Sequence, residues 1–257
     1  MTRPGTAEPG RTAAPTHGVE GVADAGAFLA RLVRLDPVAP VRLRPAGAPG
    51  RIALWARLPW QVLVVRTVAG GPADGVAEDV TVAAAELLAE LERSGATLPT
   101  RRDAQWRWPL PPTRSRQVEA LPVAELRRIA DAAAGTLRTA SEQGVAGRAV
   151  GQRALRDALL DHVAVLITPD GTTDGTTDGT PDGAPDAPVE VPQRLVQGVV
   201  RMGFLGAAHG SAAGEGGDAV QVRVAGRWVG LVGPHGAAWL QKATDLAVTP
   251  LSARPNG

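Results

Sequence analysis

Arginine and tryptophan converge on one stretch of the chain. Between Arg101 and Arg116 stand Arg101, Arg102, Arg107, Arg114 and Arg116 against the single acid Asp103. Trp106 and Trp108 sit two residues apart, so an extended chain presents both indoles on the same side. Prolines at 99, 109, 111 and 112 forbid a regular helix. Guanidinium groups neutralise phosphates and carboxylates, and indole faces stack on bases or on arginine. Arg101, Arg102, Trp106, Arg107 and Trp108 are therefore the candidate binding residues. The same residues support a ligand-free reading, in which both tryptophans fold back over an open sheet face and the arginines point to water. That covering reading is favoured over the binding one. A proline-rich recognition motif at 109–112 carries less weight than either.

Other chemistry is thinly signalled. The four histidines are His17, His162, His209 and His235, and none has a metal-ligand neighbour at the spacing a site needs. Asp161 and His162 are adjacent, which on a helix turns their side chains apart by about 100°; His162 suits a helix C-terminus instead. Asp170, Asp174, Asp178, Asp182 and Asp186 recur with a period of four, without the closer alternation and bidentate acid of a calcium loop. Gly206 to Gly217 is glycine-rich but has neither the Lys-Ser/Thr nor the G-x-G-x-x-G spacing of a phosphate cradle. No G-x-S-x-G or H-E-x-x-H motif occurs. No catalytic residue, metal ligand or cofactor is expected.

Composition narrows the classes further. The formal net charge is +1, so nothing draws the whole chain toward nucleic acid or an anionic membrane. With no cysteine there is no disulfide, thiolate metal site or cysteine nucleophile, which suits a reducing cytoplasm. There is no tyrosine either. Lys242 is the single lysine among 27 basic residues, and with abundant alanine, glycine and proline this points to a GC-rich genome, so each arginine cluster is discounted. Residues 1–22 carry no apolar core of a signal peptide and read as tail. No run reaches the roughly 18 apolar residues that span a bilayer, so no membrane association is expected.

These residues need elements to hold them. Ala25, Phe28, Leu29, Leu32 and Val33 fall at helical period behind Asp24, a candidate N-cap, and Asp36-Pro37 stops the helix. Three strands follow: 41–44, 52–58 with Trp55 and Arg57 opposite Leu54 and Ala56, and a nearly all-apolar 61–68 that reads as a central strand. Thr81 is expected to cap a helix over 82–93, with Leu87, Leu88 and Leu91 inward and Gly95 as the stop. Pro122 opens a helix over 123–143, and 148–162 makes a second, an antiparallel hairpin. Arg148, Arg153 and Arg156 on it invite a helix-turn-helix reading, which a solvated face outweighs. Residues 163–168 read as a strand.

A second copy of the first unit follows. Leu195 to Met202 aligns with Phe28 to Leu35, apolar in both at five of eight positions, with Arg201 matching Arg34 at a sixth. Strands over 219–224, 227–232 and 237–241 then repeat the meander. Either the halves are duplicates or two amphipathic helices align by chance; a short match leaves both open. The expected organisation is a disordered tail at 1–23, an α+β domain with a helical hairpin at 24–168, a low-complexity Asp/Gly/Thr/Pro linker at 169–188, a helix plus meander at 189–251 and a tail at 252–257. The fold class is α+β, two helix-plus-antiparallel-meander units with the additional hairpin in the first half.

Leu121 to Arg128, Val150 to His162 and Val191 to Val196 resemble an uncharacterised actinobacterial protein family of unknown function. The resemblance covers most of the chain outside the tail and the repeat, and implies no activity. The leading expectation is a cytoplasmic, non-enzymatic interaction or regulatory protein with a protein partner. One alternative is a nucleic-acid-binding protein using loop 101–116. Another is an enzyme with a site between the halves, near His209 and His235.

Overall fold

The computed structural model describes residues 15–71, 79–144, 151–168, 188–206 and 219–242. Ala25, Phe28, Leu29 and Leu32 are buried along one side of α1 (Val22–Leu35). The helix begins before the expected cap. Gly21 is the N-cap and Asp24 lies in the first turn, where a carboxylate is still favoured by the N-terminal dipole. The chain then turns into β1 (Pro40–Pro45), β2 (Arg51–Arg57) and β3 (Leu63–Ala69), an antiparallel meander in which Leu43 faces Leu54 and Trp55 faces Val65. Val41, Leu54, Ala56, Val64 and Val68 are buried on the helix side.

The next helix starts later than its sequence suggests. Val80–Ala83 is a strand, β4, paired with β1, and α2 runs from Ala84 to Glu92. The β-branched Val80, Thr81 and Val82 gain more from the ladder and from burial of both valines than from a helical turn. A long connection leads to β5 (Arg116–Pro122), a strand the sequence reading does not assign. Next come α3 (Val123–Gln143), α4 (Gln152–Asp161) and β6 (Val163–Ile167). They are followed by β7 (Val189–Pro192), α5 (Gln193–Arg201), β8 (Ala219–Ala225), β9 (Trp228–Gly233) and β10 (Gly236–Gln241).

Eight strands form one antiparallel sheet in the order β4-β1-β2-β3-β10-β9-β8-β5. The two meanders join where β3 pairs with β10, Val64 opposite Ala238. Read inward from either edge the order is the same: an edge strand, then the first, second and third strand of a meander that follows a helix. The molecule thus has a pseudo-two-fold arrangement, with α1 packed on α2 in one half and α5 packed on α3 in the other. The hairpin of α3 and α4 precedes the repeat in sequence yet packs against α5. Near the pseudo-axis the rings of Phe28 and Phe204 stack, 6.3 Å apart and within 4° of parallel. Gly198 lets α5 close onto the seam, since a Cβ there would stand 3.1 Å from Val62 Cγ1. β6 and β7 form a separate two-stranded pair, and Val189 and Val191 of β7 join the main core.

Part of the expected N-terminal tail is built into the fold. Thr16 bridges Thr97, Val19 bridges Gly70 and is buried, and His17 is buried too. The His17 ring accepts from the Val19 N–H at Nδ1 (3.0 Å) and donates from Nε2 to the Gly95 carbonyl (2.9 Å). One tautomer satisfies both bonds, so His17 is a structural histidine. Residues 1–14, residues 169–187 of the expected linker, and residues 243–257 with the expected 252–257 tail lie outside the described residues. No helix among the described residues is long and apolar enough to cross a membrane.

Candidate functional site

The two edge strands are β4 and β5, and one segment must connect the β4 side to β5. Near β4 it is pinned at Asp103: the Thr81 N–H donates to Asp103 Oδ1 (2.7 Å) and the Arg102 N–H donates to the Thr81 carbonyl (2.6 Å). It enters β5 at Arg116. An eight-stranded sheet is roughly 34 Å across at about 4.8 Å per gap. About thirteen residue steps reach only some 43 Å when fully extended. After the short 3-10 turn Asp103–Gln105, the segment must therefore run nearly straight, which the prolines at 109, 111 and 112 favour. It forms a strap across the sheet face opposite the helices.

That face is apolar under the strap. Trp106, Trp108 and Leu110 pack on a second cluster built from Leu63, Ala225, Trp228, Ala237 and Trp239, flanked by Trp55. Five of the six tryptophans lie here, so indole is the material that seals this side. Trp239 lies flat on Gly230, its cross-strand partner; a Cβ at Gly230 would be 2.6 Å from Trp239 Cδ2. Trp106 and Trp108 meet edge to face at 5.4 Å and 85°, and the Trp106 indole N–H donates to the Trp108 carbonyl at 2.8 Å.

Arginines from the sheet occupy the remaining ring faces. The Arg42 guanidinium carbon stands 5.6 Å from the Trp106 ring centre, and that of Arg57 stands 4.9 Å from Trp108. Arg42 forks onto Asp79 through Nε (2.6 Å) and Nη2 (2.8 Å), which raises its pKa above the ordinary arginine value. Burial pushes that of Arg57 down. At the far end Arg223 of β8 holds Ser115, donating from Nε to Oγ (2.8 Å) and from Nη2 to the carbonyl (2.5 Å).

Three of the five candidate residues, Trp106, Arg107 and Trp108, lie on the strap, and Arg101 and Arg102 stand just before it at its pinned end beside β4. Trp106 and Trp108 are half-buried and face the sheet. Arg107 is exposed between them, with no ion pair among the described residues. Arg101 pairs with Asp103 at 2.9 Å, and Arg102 with Glu86 at 2.5 Å. The Thr81 N–H, and then Arg101, hold the Asp103 carboxyl below the usual carboxylate range. Sequence reasoning passed over Arg42, Arg57 and Arg223. Their signal was strand alternation: each sits one step out of phase with buried core residues, on the face the strap covers.

The remaining candidates scatter. His162 is the C-cap of α4, its N–H donating to the Leu159 carbonyl. Arg153 and Arg156 are exposed on α4, while Arg148, His209, the Asp-Gly repeat and most of Gly206 to Gly217 lie outside the described residues. Among the described residues no three acids and histidines are grouped to hold a metal. His235, in the turn between β9 and β10, edges a cleft of about 330 Å³ between the halves, together with Asp24, Arg31, Arg66, Phe28 and Phe204.

The family described as Domain of unknown function (DUF8185) matches residues 110–245, and the one described as Domain of unknown function (DUF8010) matches residues 16–108. The two matches meet in the middle of the strap. No curated protein matches the chain. Among solved structures it is similar to Caulobacter crescentus pol III beta, at 13% identity over 86% of this chain and 63% of that one, with a TM-score of 0.48. It is also similar to a DNA polymerase sliding clamp from Pseudomonas aeruginosa, at 14% identity over 87% and 64%, with a TM-score of 0.47. For the beta subunit from DNA polymerase of Streptococcus pyogenes the values are 13%, 86%, 62% and 0.47. The chain spans less than two thirds of the length of these proteins.

Proposed function

The chain belongs to the family described as Domain of unknown function (DUF8185), and we propose that it is a cytoplasmic, non-catalytic interaction protein that docks an acidic protein partner on its strapped sheet face. The observation that carries this reading is on the strap itself: Trp106 and Trp108 turn onto the sheet while Arg107 stands exposed between them, with Arg101 exposed at the pinned end. Arg101, Arg102 and Arg107 make the contact; packing of Trp106 and Trp108 on the sheet holds Arg107, and the hydrogen bonds of Asp103 and Arg102 with Thr81 hold Arg101 and Arg102. A docking surface fixed beforehand loses little side-chain entropy on binding, which raises affinity. The two standing ion pairs are exposed, and such pairs contribute only about 0–1 kcal/mol each. A partner's carboxylates can replace Asp103 and Glu86 at little cost, and can take a guanidinium by two parallel bonds.

A second reading is nucleic-acid binding. The line of Arg101, Arg102, Arg107, Arg114 and Arg116 along an extended segment favours it. The faces of Trp106 and Trp108 are already occupied, so this mode would use phosphates rather than stacked bases, and would be indifferent to sequence.

Fluorescence anisotropy separates the readings. Labelled oligoglutamate, single-stranded and double-stranded oligonucleotides are titrated with the wild type and with the triple variant Arg101→Ala, Arg102→Ala, Arg107→Ala. The expected result is binding of the peptide at low salt, at least tenfold weaker for the variant. Tighter binding of the oligonucleotides, lost in the variant, gives the lead to the second reading. No binding of either polyanion at low salt overturns both and leaves the strap as a cover.

A further inference from the structure

The cleft between the halves has a composition the strapped face does not share. Its floor is apolar: Phe28 from α1 and Phe204 just beyond α5 stack in parallel, and Met202 lies beside them, all three buried. Its rim is charged, with Arg31 and Asp24 from α1, Arg66 from β3 and His235 from the β9–β10 turn. Each half of the pseudo-repeat supplies part of the floor and part of the rim.

The two arginines are placed differently. Arg66 is held in the structure, with Nη2 donating to Asp24 Oδ1 at 2.6 Å and Nη1 donating to the His235 carbonyl. Its charge is matched by Asp24. Arg31 is exposed, and its one hydrogen bond among the described residues runs from Nη1 to the Ala27 carbonyl at 3.1 Å. Its other guanidinium donors remain for a ligand. The backbone makes room for this arrangement at two points. Gly203 has φ +69°, and a Cβ there would be 2.9 Å from Arg31 Nε; Gly206 has φ +75°, and its Cβ would be 3.3 Å from His235 Nε2. Side chains at either position would crowd the rim.

We propose that this cleft binds a small monocarboxylate carried on an apolar body. Two guanidinium groups, Arg31 and Arg66, stand on the rim against the one carboxylate of Asp24, an excess of one positive charge that matches a single negative charge. A guanidinium takes a carboxylate by two parallel bonds. Ala27 and the edges of the buried phenylalanine pair give an aryl or alkyl group an apolar wall to lie against, and a volume of about 330 Å³ lies within the range of small-molecule sites. This site is independent of the docking face proposed above.

The chain offers its own reporters. It has two phenylalanines, and both lie on this floor. Protein grown with 4-fluorophenylalanine therefore gives two fluorine resonances, each from the cleft. The probe is 3-phenylpropionate, with 3-phenylpropionamide and inorganic phosphate as controls, and calorimetry on unlabelled protein as a parallel measurement. Both resonances are expected to shift saturably with the acid, and the amide and phosphate to bind at least tenfold more weakly. Arg31→Ala weakens the acid at least tenfold and Arg31→Lys recovers part of the loss. Arg31 is exposed, so both variants keep the fold, checked by the dispersion of the two resonances. The triple strap variant binds the acid like wild type. Resonances that stay in place up to about 10 mM acid, where even a weak fragment binds, overturn the proposal. Equal affinity for the amide does so as well, and so does equal affinity for phosphate.

Discussion

Gly230 has no room for a methyl group, because Trp239 lies on it. Gly230→Ala displaces that indole and destabilises by about 1–3 kcal/mol; a urea titration reads this as a lower midpoint with an unchanged slope. Trp108→Ala removes a half-buried indole from the same face and costs about 1–3 kcal/mol, below the range for a fully buried tryptophan. A loss under a few tenths of a kcal/mol would mean that the strap is not packed on the sheet. Asp103 adds a dependence on pH. Its folded-state pKa lies below its unfolded value, so its contribution is present above the unfolded pKa and disappears as pH falls through the folded one. Asp103→Asn is therefore less stable than wild type at neutral pH, and the difference narrows in acid, as melts at neutral pH and at about pH 3 would record. At this scale the sequence revealed that Trp106 and Trp108 share a side. It did not reveal that Arg42 and Arg57 meet them, because those contacts join strands to a segment far along the chain.

Among the elements, the strap is close to its limiting length. Of the about 9 Å to spare, the 3-10 turn Asp103–Gln105 takes up roughly 4 Å, so deleting Pro112 and Thr113, which removes about 7 Å of reach, leaves the strap too short. The start of β5 should then fray, with faster amide exchange at Arg116 and Gln117, while a two-residue insertion at the same place leaves exchange unchanged. Unaltered exchange after the deletion would mean that the strap takes another route. The meanders, α1 and the 123–143 helix were legible because their apolar positions repeat at two or at 3.6 residues. The edge strands were not. β5 is mostly exposed and has no clean alternation, with a register shift between Gln117 and Glu119. Val80 to Ala83 stands directly before a helix and is a strand because β1 offers it an edge.

Taken whole, the molecule is two copies of one idea joined along a seam. The sequence carried the repeat of helix and meander. How the copies meet was not legible, since β3 is apolar on both faces whether it ends a sheet or sits at its centre. The seam ties the halves by the β3–β10 ladder and by Trp60, whose indole N–H donates to the Arg194 carbonyl at 3.1 Å. A continuous sheet should melt as a unit, so calorimetry is expected to give one transition with matching calorimetric and van't Hoff enthalpies. The central claim concerns the outward arginines, and the most direct measurement is the salt dependence of affinity for oligoglutamate, wild type against the triple arginine variant. The account predicts that wild-type affinity falls steeply between low and physiological salt, while the variant starts weaker and falls less, because three of the screened contacts are gone. Two coincident curves would contradict it.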